Sequence, residues 1–306
     1  VYENGVITQD HKASSDDQNA IVGPGMMSDE TRLLSNSIGK SIVSYLIGHA
    51  ICEGVIEDLD AAISDWPLVA NTVYEDAKII ELLNMSTGDH RLITKQKGSN
   101  DDVVRGNRTS RLSTITIESL MRSDWFQGTK PASDRRYNYS NLTTRILLNY
   151  LIFKLAENYK SFLSRVIKEN VENQHSVYML KTYALPSEGA GRYTTYMTRY
   201  DFLRFAITLL EDWDSDTCIG KYLTEVYQRR ISKNQKDSRH RGGSSHSYGG
   251  QFYFDYSGYS GQRIVGMDGF GGQSILIDLD RKKIVIAHAM QADYNWHKLV
   301  LREIGR

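Results

Sequence analysis

Ser35-Asn36-Ser37-Ile38-Gly39-Lys40-Ser41-Ile42-Val43-Ser44-Tyr45-Leu46-Ile47-Gly48-His49-Ala50-Ile51-Cys52-Glu53 is the stretch whose reading decides the fold. Ser35 and Asn36 are good helix N-caps, and the residues from about Ser37 to Glu53 are apolar on most faces. Such a helix belongs at the centre of a core rather than on its surface. Ser37 and Lys40 are three apart, so they share one face of its first turn. A lysine buried there loses hydration, which lowers its pKa and lets it take a serine proton. The helix N-terminus also favours negative charge developing beside Ser37. The competing reading of the same residues is a helix cap followed by a lysine that reaches out to solvent. Gly39-Lys40-Ser41 does not close a phosphate-binding P-loop, because Leu34 stands where that motif needs glycine.

Outward from this helix, the two ends of the chain read as strands. Tyr2-Glu3-Asn4-Gly5-Val6-Ile7 has an Asn-Gly pair between β-type runs, the signature of a two-residue hairpin. Residues 10 to 30 are polar and irregular. Short helices are expected over Asp58–Trp66, Ala77–Leu83 and Ile115–Met121, with a long exposed loop from Lys95 to Arg111. Longer helices are expected from Leu142 to about Phe162 and from Thr198 through Leu210. After residue 245 the pattern becomes β-type over Gly249–Tyr256, Ser274–Leu279 and Lys283–Ala289, with a turn at Asp280-Arg281-Lys282, and a helix from Tyr294 to Ile304 closes the chain. Strands at both ends and helices between them predict an α/β sheet domain from residues 1–60 and 190–306, with a helical domain inserted over 61–189.

Composition narrows the function. The 306 residues are 40% hydrophobic and 24% charged, which supports a folded chain of one large or two average domains. Lys and Arg number 37, as do Asp and Glu, so no net field draws the chain to nucleic acid or anionic lipid. The richest apolar stretch, Ile42 to Ile56, is interrupted by Ser44, His49 and Glu53, so no membrane span is expected. Cys52 and Cys218 are too few for a disulfide framework, and Cys52 within a helix reads as a buried thiol. A first residue of Val is compatible with a removed leader or a domain edge. The compartment stays open, leaning to periplasmic or secreted.

Two further motifs accompany Ser37 and Lys40. Tyr139-Ser140-Asn141 precedes a long helix and sets a phenol and an amide two residues apart in an extended segment, able to face one cleft. A phenol beside an ammonium can ionise well below its usual pKa of about 10 and shuttle a proton. N-capping by Asn141 and plain packing of Tyr139 are the alternatives, and Tyr2-Glu3-Asn4 matches the same pattern within the first hairpin. Gly266-Met267-Asp268-Gly269-Phe270-Gly271-Gly272-Gln273 leads into an apolar hairpin. There the amide of Phe270 could join that of Ser37 as an oxyanion hole, the alternative being a β-bulge. No dinucleotide-type glycine pattern followed by a helix is present. Asp212, Asp214 and Asp216 begin like a calcium loop, but Thr217 and Leu223 occupy positions that need Gly and Glu, so a solvated acidic turn is expected. Arg229–Arg241 reads as a basic surface loop, and His240, His246 and His288 lack metal-ligand spacing. No cofactor or metal is called for.

Taken in order, Ser37-x-x-Lys40, Tyr139-x-Asn141 and the glycine-rich strand resemble the serine β-lactamase and penicillin-binding protein family. The flanks agree: Ser37 to Leu59 looks like its nucleophile helix, and Ile79-Ile80-Glu81-Leu82-Leu83-Asn84-Met85-Ser86-Thr87-Gly88 like its "LLxMTSG" segment. Phe270-Gly271-Gly272-Gln273 resembles the class C-like branch, which includes esterases, D-amino-acid peptidases and nylon-oligomer-type amidases. The resemblance implies an antiparallel sheet flanked by helices with an all-helical insert, and a Ser37 acyl-enzyme. It also implies proton exchange by Lys40 and Tyr139, positioning by Asn141, and an oxyanion site formed by the amides of Ser37 and of Phe270, beside Gly269. Where many members carry Lys or His, Met267-Asp268-Gly269 offers no positive charge. A carboxylate-bearing β-lactam is therefore disfavoured, and an ester or amide with a neutral or cationic group near Asp268 is the expected substrate, the alternative being that Asp268 faces away. The alternatives are a D,D-peptidase or β-lactamase on the same scaffold, and a non-catalytic member that binds a ligand. No glutamate is recognisable as a deacylation base, which leaves Tyr139 by microscopic reversibility. Oligomeric state is not legible.

Overall fold

The computed structural model describes residues 1–12, 28–96, 101–106, 112, 115–175, 193–233, 244–290 and 294–306. Strands β1 (Tyr2–Glu3) and β2 (Val6–Ile7) form the expected hairpin, with Asn4 and Gly5 both at positive φ. After β3 (Leu33–Leu34) comes α1 (Ile38–Cys52), and twelve of its fifteen residues are buried. Two of its serines find partners inside: Ser41 Oγ donates to the Gln251 carbonyl at 2.7 Å, and Ser44 Oγ lies 2.9 Å from the Tyr222 hydroxyl. A helix apolar on nearly every side can be stable only when other elements surround it.

After α1 come α2 (Ile79–Leu83), the paired strands β4 (Ile93–Lys95) and β5 (Asp102–Val104), α3 (Ile117–Met121), α4 (Asn141–Leu155) and α5 (Tyr159–Leu163). Helix α4 packs on both α1 and α2. The chain then returns through β6 (Tyr196–Met197), which pairs with β3, to α6 (Arg199–Trp213) and α7 (Cys218–Gln228). Strands β7 (Ile231–Ser232), β8 (Ser245–Gly249), β9 (Phe252–Tyr256), β10 (Ile264–Gly269), β11 (Gln273–Asp278) and β12 (Lys283–Ala287) follow, and α8 (Trp296–Gly305) ends the chain.

Eight strands make one antiparallel sheet in the order β2-β1-β12-β11-β10-β9-β8-β7. Both faces are covered, so alternate residues serve two interiors. Val265, Met267, Ile275, Ile277 and Phe254 share a core with α1, α6 and α7, whereas Ile264, Leu276 and Val285 pack with Val300 and Ile304 of α8. The fold is thus the expected α/β one: a large antiparallel sheet with flanking helices. No helix among the described residues is long and apolar enough to cross a membrane.

Several local expectations are corrected. Asp58–Trp66 is not a helix: Asp58 Oδ1 accepts from the amides of Asp60 and Ala61, and Ala62 bridges Lys78. The helix expected from Leu142 to Phe162 breaks at Ala156, whose φ is 47°. Gly249–Tyr256 is not one strand but the junction of β8 and β9, which turns at Gly250 and Gln251 with φ of 58° and 66°. The acidic turn after Asp212 is present as expected, with Asp214 and Asp216 exposed, but it leads into a helix that was not expected, α7, capped by Thr217, whose side chain accepts from the Gly220 amide. Cys52 and Cys218 are not free thiols; they form a disulfide between the end of α1 and the start of α7. The stretch Lys95–Arg111 is not simply an exposed loop, since it contains β5 and the buried Asp102. His240 and most of Arg229–Arg241 lie outside the described residues.

Candidate active site

Three elements converge on Ser37. The turn before α1 is fixed from both sides: the Ser35 amide donates to the Thr195 carbonyl at 2.7 Å, and the Thr195 amide donates to Ser35 Oγ at 3.0 Å. Asn36, at φ 49°, sends its Nδ2 to the Phe270 carbonyl at 2.6 Å. Gly269 makes that approach possible, because a Cβ there would sit 2.6 Å from the Ser35 carbonyl oxygen. The end of β10 therefore lies against the Ser37 turn, with Phe270 exposed at its rim. Ser37 itself remains partly exposed, and its carbonyl accepts from the Lys40 amide at 3.1 Å.

Lys40 is 1% exposed. Its Nζ donates to Asn141 Oδ1 at 2.7 Å and lies 3.9 Å from the centroid of the Tyr193 ring and 5.1 Å from that of Tyr139. Asn141 Oδ1 also accepts from the Tyr193 hydroxyl at 2.8 Å. Tyr139 is hydrogen-bonded to Ser37 and to Tyr253, and its ring stands against Tyr248, centroids 6.2 Å apart. The structure thus brings Ser37, Lys40, Tyr139, Asn141, Gly269 and Phe270 to one place. Position 39 likewise has no room for a side chain, since a Cβ there would fall 1.9 Å from the Tyr193 carbonyl oxygen.

Burial sets the electrostatics. It drives the Lys40 ammonium well below its ordinary pKa, helped by the nearby positive charge of Lys95 and opposed by Asp102. Tyr139 departs from the expectation that it ionises easily: desolvation raises its phenol above the usual value, and the hydrogen bonds with Ser37 and Tyr253 only partly offset this. At rest the phenol is neutral.

Of the two placements open to Asp268, the structure has it turned inward. It is 6% exposed, its Oδ1 accepts from Ser274 Oγ at 2.6 Å, and its Oδ2 lies 3.4 Å from His297 Nδ1 of α8. Met267 points to the opposite face of the sheet, into the core. Neither side chain of this pair is offered to a ligand.

Two charged residues that motif reading passed over stand beside the site. Asp102 is buried, and its Oδ2 accepts from the amides of Asn141 and Leu142, at 2.6 and 3.0 Å, and from Ser140 Oγ at 3.1 Å. It holds the start of α4, and with it the Tyr139-Ser140-Asn141 turn. Lys95, directly across the β4–β5 ladder from Asp102, has its Nζ 4.5 Å from the Tyr139 ring centroid. The β-type residues Asp102-Val103-Val104 were the one available signal. Elsewhere, a cavity of about 620 Å³ lined by Tyr200, Leu203, Ile286, Trp296 and Leu299 includes none of these site residues.

With this geometry in hand, comparison is informative. A family model described as Beta-lactamase matches residues 1–302. The chain belongs to the beta-lactamase family. Members of that family are serine hydrolases. The beta-lactamase fold is also found in the chain's structural neighbours. D-amino acid amidase from Ochrobactrum anthropi SV3 superposes with a TM-score of 0.65 at 14% identity, covering 96% of this chain and 88% of that one. For class C beta lactamase from Rhodobacter sphaeroides the values are 0.58, 14%, 93% and 88%. For the octameric penicillin-binding protein homologue from Pyrococcus abyssi they are 0.63, 18%, 91% and 66%. No curated protein shows significant similarity to the chain.

Proposed function

We propose that this beta-lactamase family member cleaves an ester or amide through a Ser37 acyl-enzyme. The observation that carries the reading is the Tyr139 phenol bonded to Ser37 with the buried Lys40 beneath its ring. As Ser37 Oγ attacks the carbonyl carbon, its proton passes to the phenol oxygen while the phenol proton moves on to the neutral Lys40 amine. Asn141 holds that amine through its Oδ1. The amides of Ser37 and Phe270 receive the developing oxyanion. Reversing the relay protonates the leaving group, and the same phenol then activates water for deacylation. The D-amino acid amidase likeness supports an amide substrate; with Asp268 bonded to Ser274 and Met267 in the core, a neutral substrate is favoured over a cationic one.

Intact-protein mass after treatment with a fluorophosphonate tests this. The wild type should gain one adduct and Ser37→Ala none. Labelling that persists in Ser37→Ala, or is missing from both, overturns the reading in favour of a ligand-binding member. Turnover of p-nitrophenyl esters and anilides above nitrocefin is expected; the reverse would make the chain a β-lactamase.

A further inference from the structure

We propose that the β4–β5 hairpin is a working part of the acyl-transfer site, in which Lys95 and Asp102 form a charge-balanced pair that leaves Lys40 as a free amine. The inference rests on the Ser37 reading above but concerns residues that no motif of the family names here. Lys95 and Asp102 face each other across the ladder, so their side chains lie on one side of the hairpin. That side is turned to the catalytic cluster: Lys95 Nζ is 4.5 Å from the Tyr139 ring centroid, and Asp102 Oδ2 takes three donors from residues 140 to 142. The Asp102 carboxylate therefore cannot turn away, and its other oxygen has no hydrogen-bond partner among the described residues.

Charge counting then decides the state of Lys40. Among the described residues, two amines and one carboxylate act on one another in a region from which water is largely excluded. A net positive charge buried there is costly, whereas one cation beside one anion is tolerated. Burial lowers both amines, but Lys40 is the more deeply buried and is driven well below its usual range, so it is the one that gives up its proton, while partly exposed Lys95 serves as the counter-ion. The remaining groups around Lys40 are the neutral Asn141 amide and the phenols of Tyr139 and Tyr193, both raised by burial. Asp101 acts on Lys95, not directly on Lys40. The hairpin thus supplies an ammonium to the Tyr139 side of the site, where Met267 supplies none. Lys95 and Asp102 are positioning residues in this account, acting through Lys40 and Tyr139.

The test follows fluorophosphonate labelling rate against pH, by intact mass, in the full chain. In Lys95→Met, Asp102 should recruit Lys40 as its counter-ion, moving the acid limb up by about 1 pH unit and slowing labelling at neutral pH about tenfold. Asp102→Asn should move the limb down while lowering the plateau, because the turn at Ser140 loses its anchor. The double variant restores the balance, so its limb should return toward that of the wild type and lie below that of Lys95→Met. Lys95→Arg keeps the charge and should keep the limb. Limbs that coincide for wild type and Lys95→Met, or a double variant whose limb stays with Lys95→Met, overturn the proposal. Thermal melts accompany each rate; if Asp102→Asn does not fold, Lys95→Met against Lys95→Arg decides alone. A wild type that never labels at Ser37 is a different failure, that of the hydrolase reading, and this inference falls with it.

Discussion

At the scale of single residues, Tyr139 has the most demanding position. Its ring is fixed by aromatic neighbours, Tyr137 at 6.5 Å and Tyr248 at 6.2 Å between centroids, so its oxygen has little freedom once the ring is seated. Burial raises its pKa, which means it can receive the Ser37 proton only by surrendering its own. A phenol in that role is lost completely by removing one oxygen. Tyr139→Phe should keep the packing and the melting temperature while reducing kcat/KM by about 10²- to 10⁴-fold, the usual worth of a general acid–base group. Steady-state kinetics with a p-nitrophenyl ester, beside a thermal melt, checks both halves; a variant with near wild-type turnover would remove Tyr139 from the mechanism. Asp268 teaches a related point about single residues. As an acid in a glycine-rich motif it looked available to a substrate, yet its neighbours in space, Ser274 and His297, lie outside that motif and occupy both oxygens' surroundings.

At the scale of elements, the site depends on how closely backbones approach one another. Gly269 and Gly48 separate two consequences of that closeness. A Cβ at Gly269 would meet the Ser35 carbonyl oxygen at 2.6 Å, backbone against backbone, so β10 must retreat from the Ser37 turn. A Cβ at Gly48 would meet the Tyr222 and Ile219 side chains of α7 at 2.6 and 2.7 Å, three turns of α1 away from Ser37. Gly269→Ala should therefore lose activity beyond its stability cost, whereas Gly48→Ala should lose about 1–3 kcal/mol of stability and keep its kcat. Urea unfolding and ester kinetics on the same two proteins distinguish them; equal losses of kcat would show that α1 is displaced as a whole. The elements also explain what could be read in advance. Ser37 and Lys40 lie one helical turn apart, so local periodicity alone puts them on one face. Tyr139 reaches the same site from another element, and only the family resemblance linked it to Ser37. Lys95 and Asp102 were missed because charged residues in a polar stretch look like solvated loop; their burial comes from the packing of β4–β5 onto α4, which has no local signature. Helix α7 was missed for a similar reason, its Thr217 cap lying among aspartates that read as a turn.

At the scale of the whole molecule, pairing between distant parts is what local patterns cannot report. Cys52 and Cys218 are separated by 166 residues, yet their Cα atoms are 5.7 Å apart. Closing so long a span restricts the unfolded chain and is worth about 2–4 kcal/mol. The bond lies at the far end of α1, about 22 Å from Ser37 at 1.5 Å per residue. Protonation also acts on the fold as a whole, through groups that folding has shifted. Burial lowers His49 and His288 to about 4, and the His288 ring is further held by the Met197 carbonyl, 3.0 Å from its Nε2. Unfolded histidine titrates near 6.5, so between about pH 6.5 and 4 the unfolded chain takes up two protons that the folded one refuses. The stability these neutral rings contribute is complete above pH 6.5 and falls as the pH drops through that window. Asp89 works the other way: burial raises it to about 6, so the folded chain binds its proton before the unfolded one, and stability rises on acidification from about 6 to 3.8. His90 is lowered in the same sense as these histidines, and Asp102 and Asp212 are raised in the same sense as Asp89, so the net slope is a sum of opposed contributions. The share of one group is read by difference: the neutral His288 ring contributes about 1.4 kcal/mol per pH unit inside its window. Between pH 6.5 and pH 5 the urea midpoint of the wild type should accordingly fall more steeply than that of His288→Gln, whose amide can still donate to the Met197 carbonyl. Slopes that coincide for the two proteins would show that His288 does not govern acid stability.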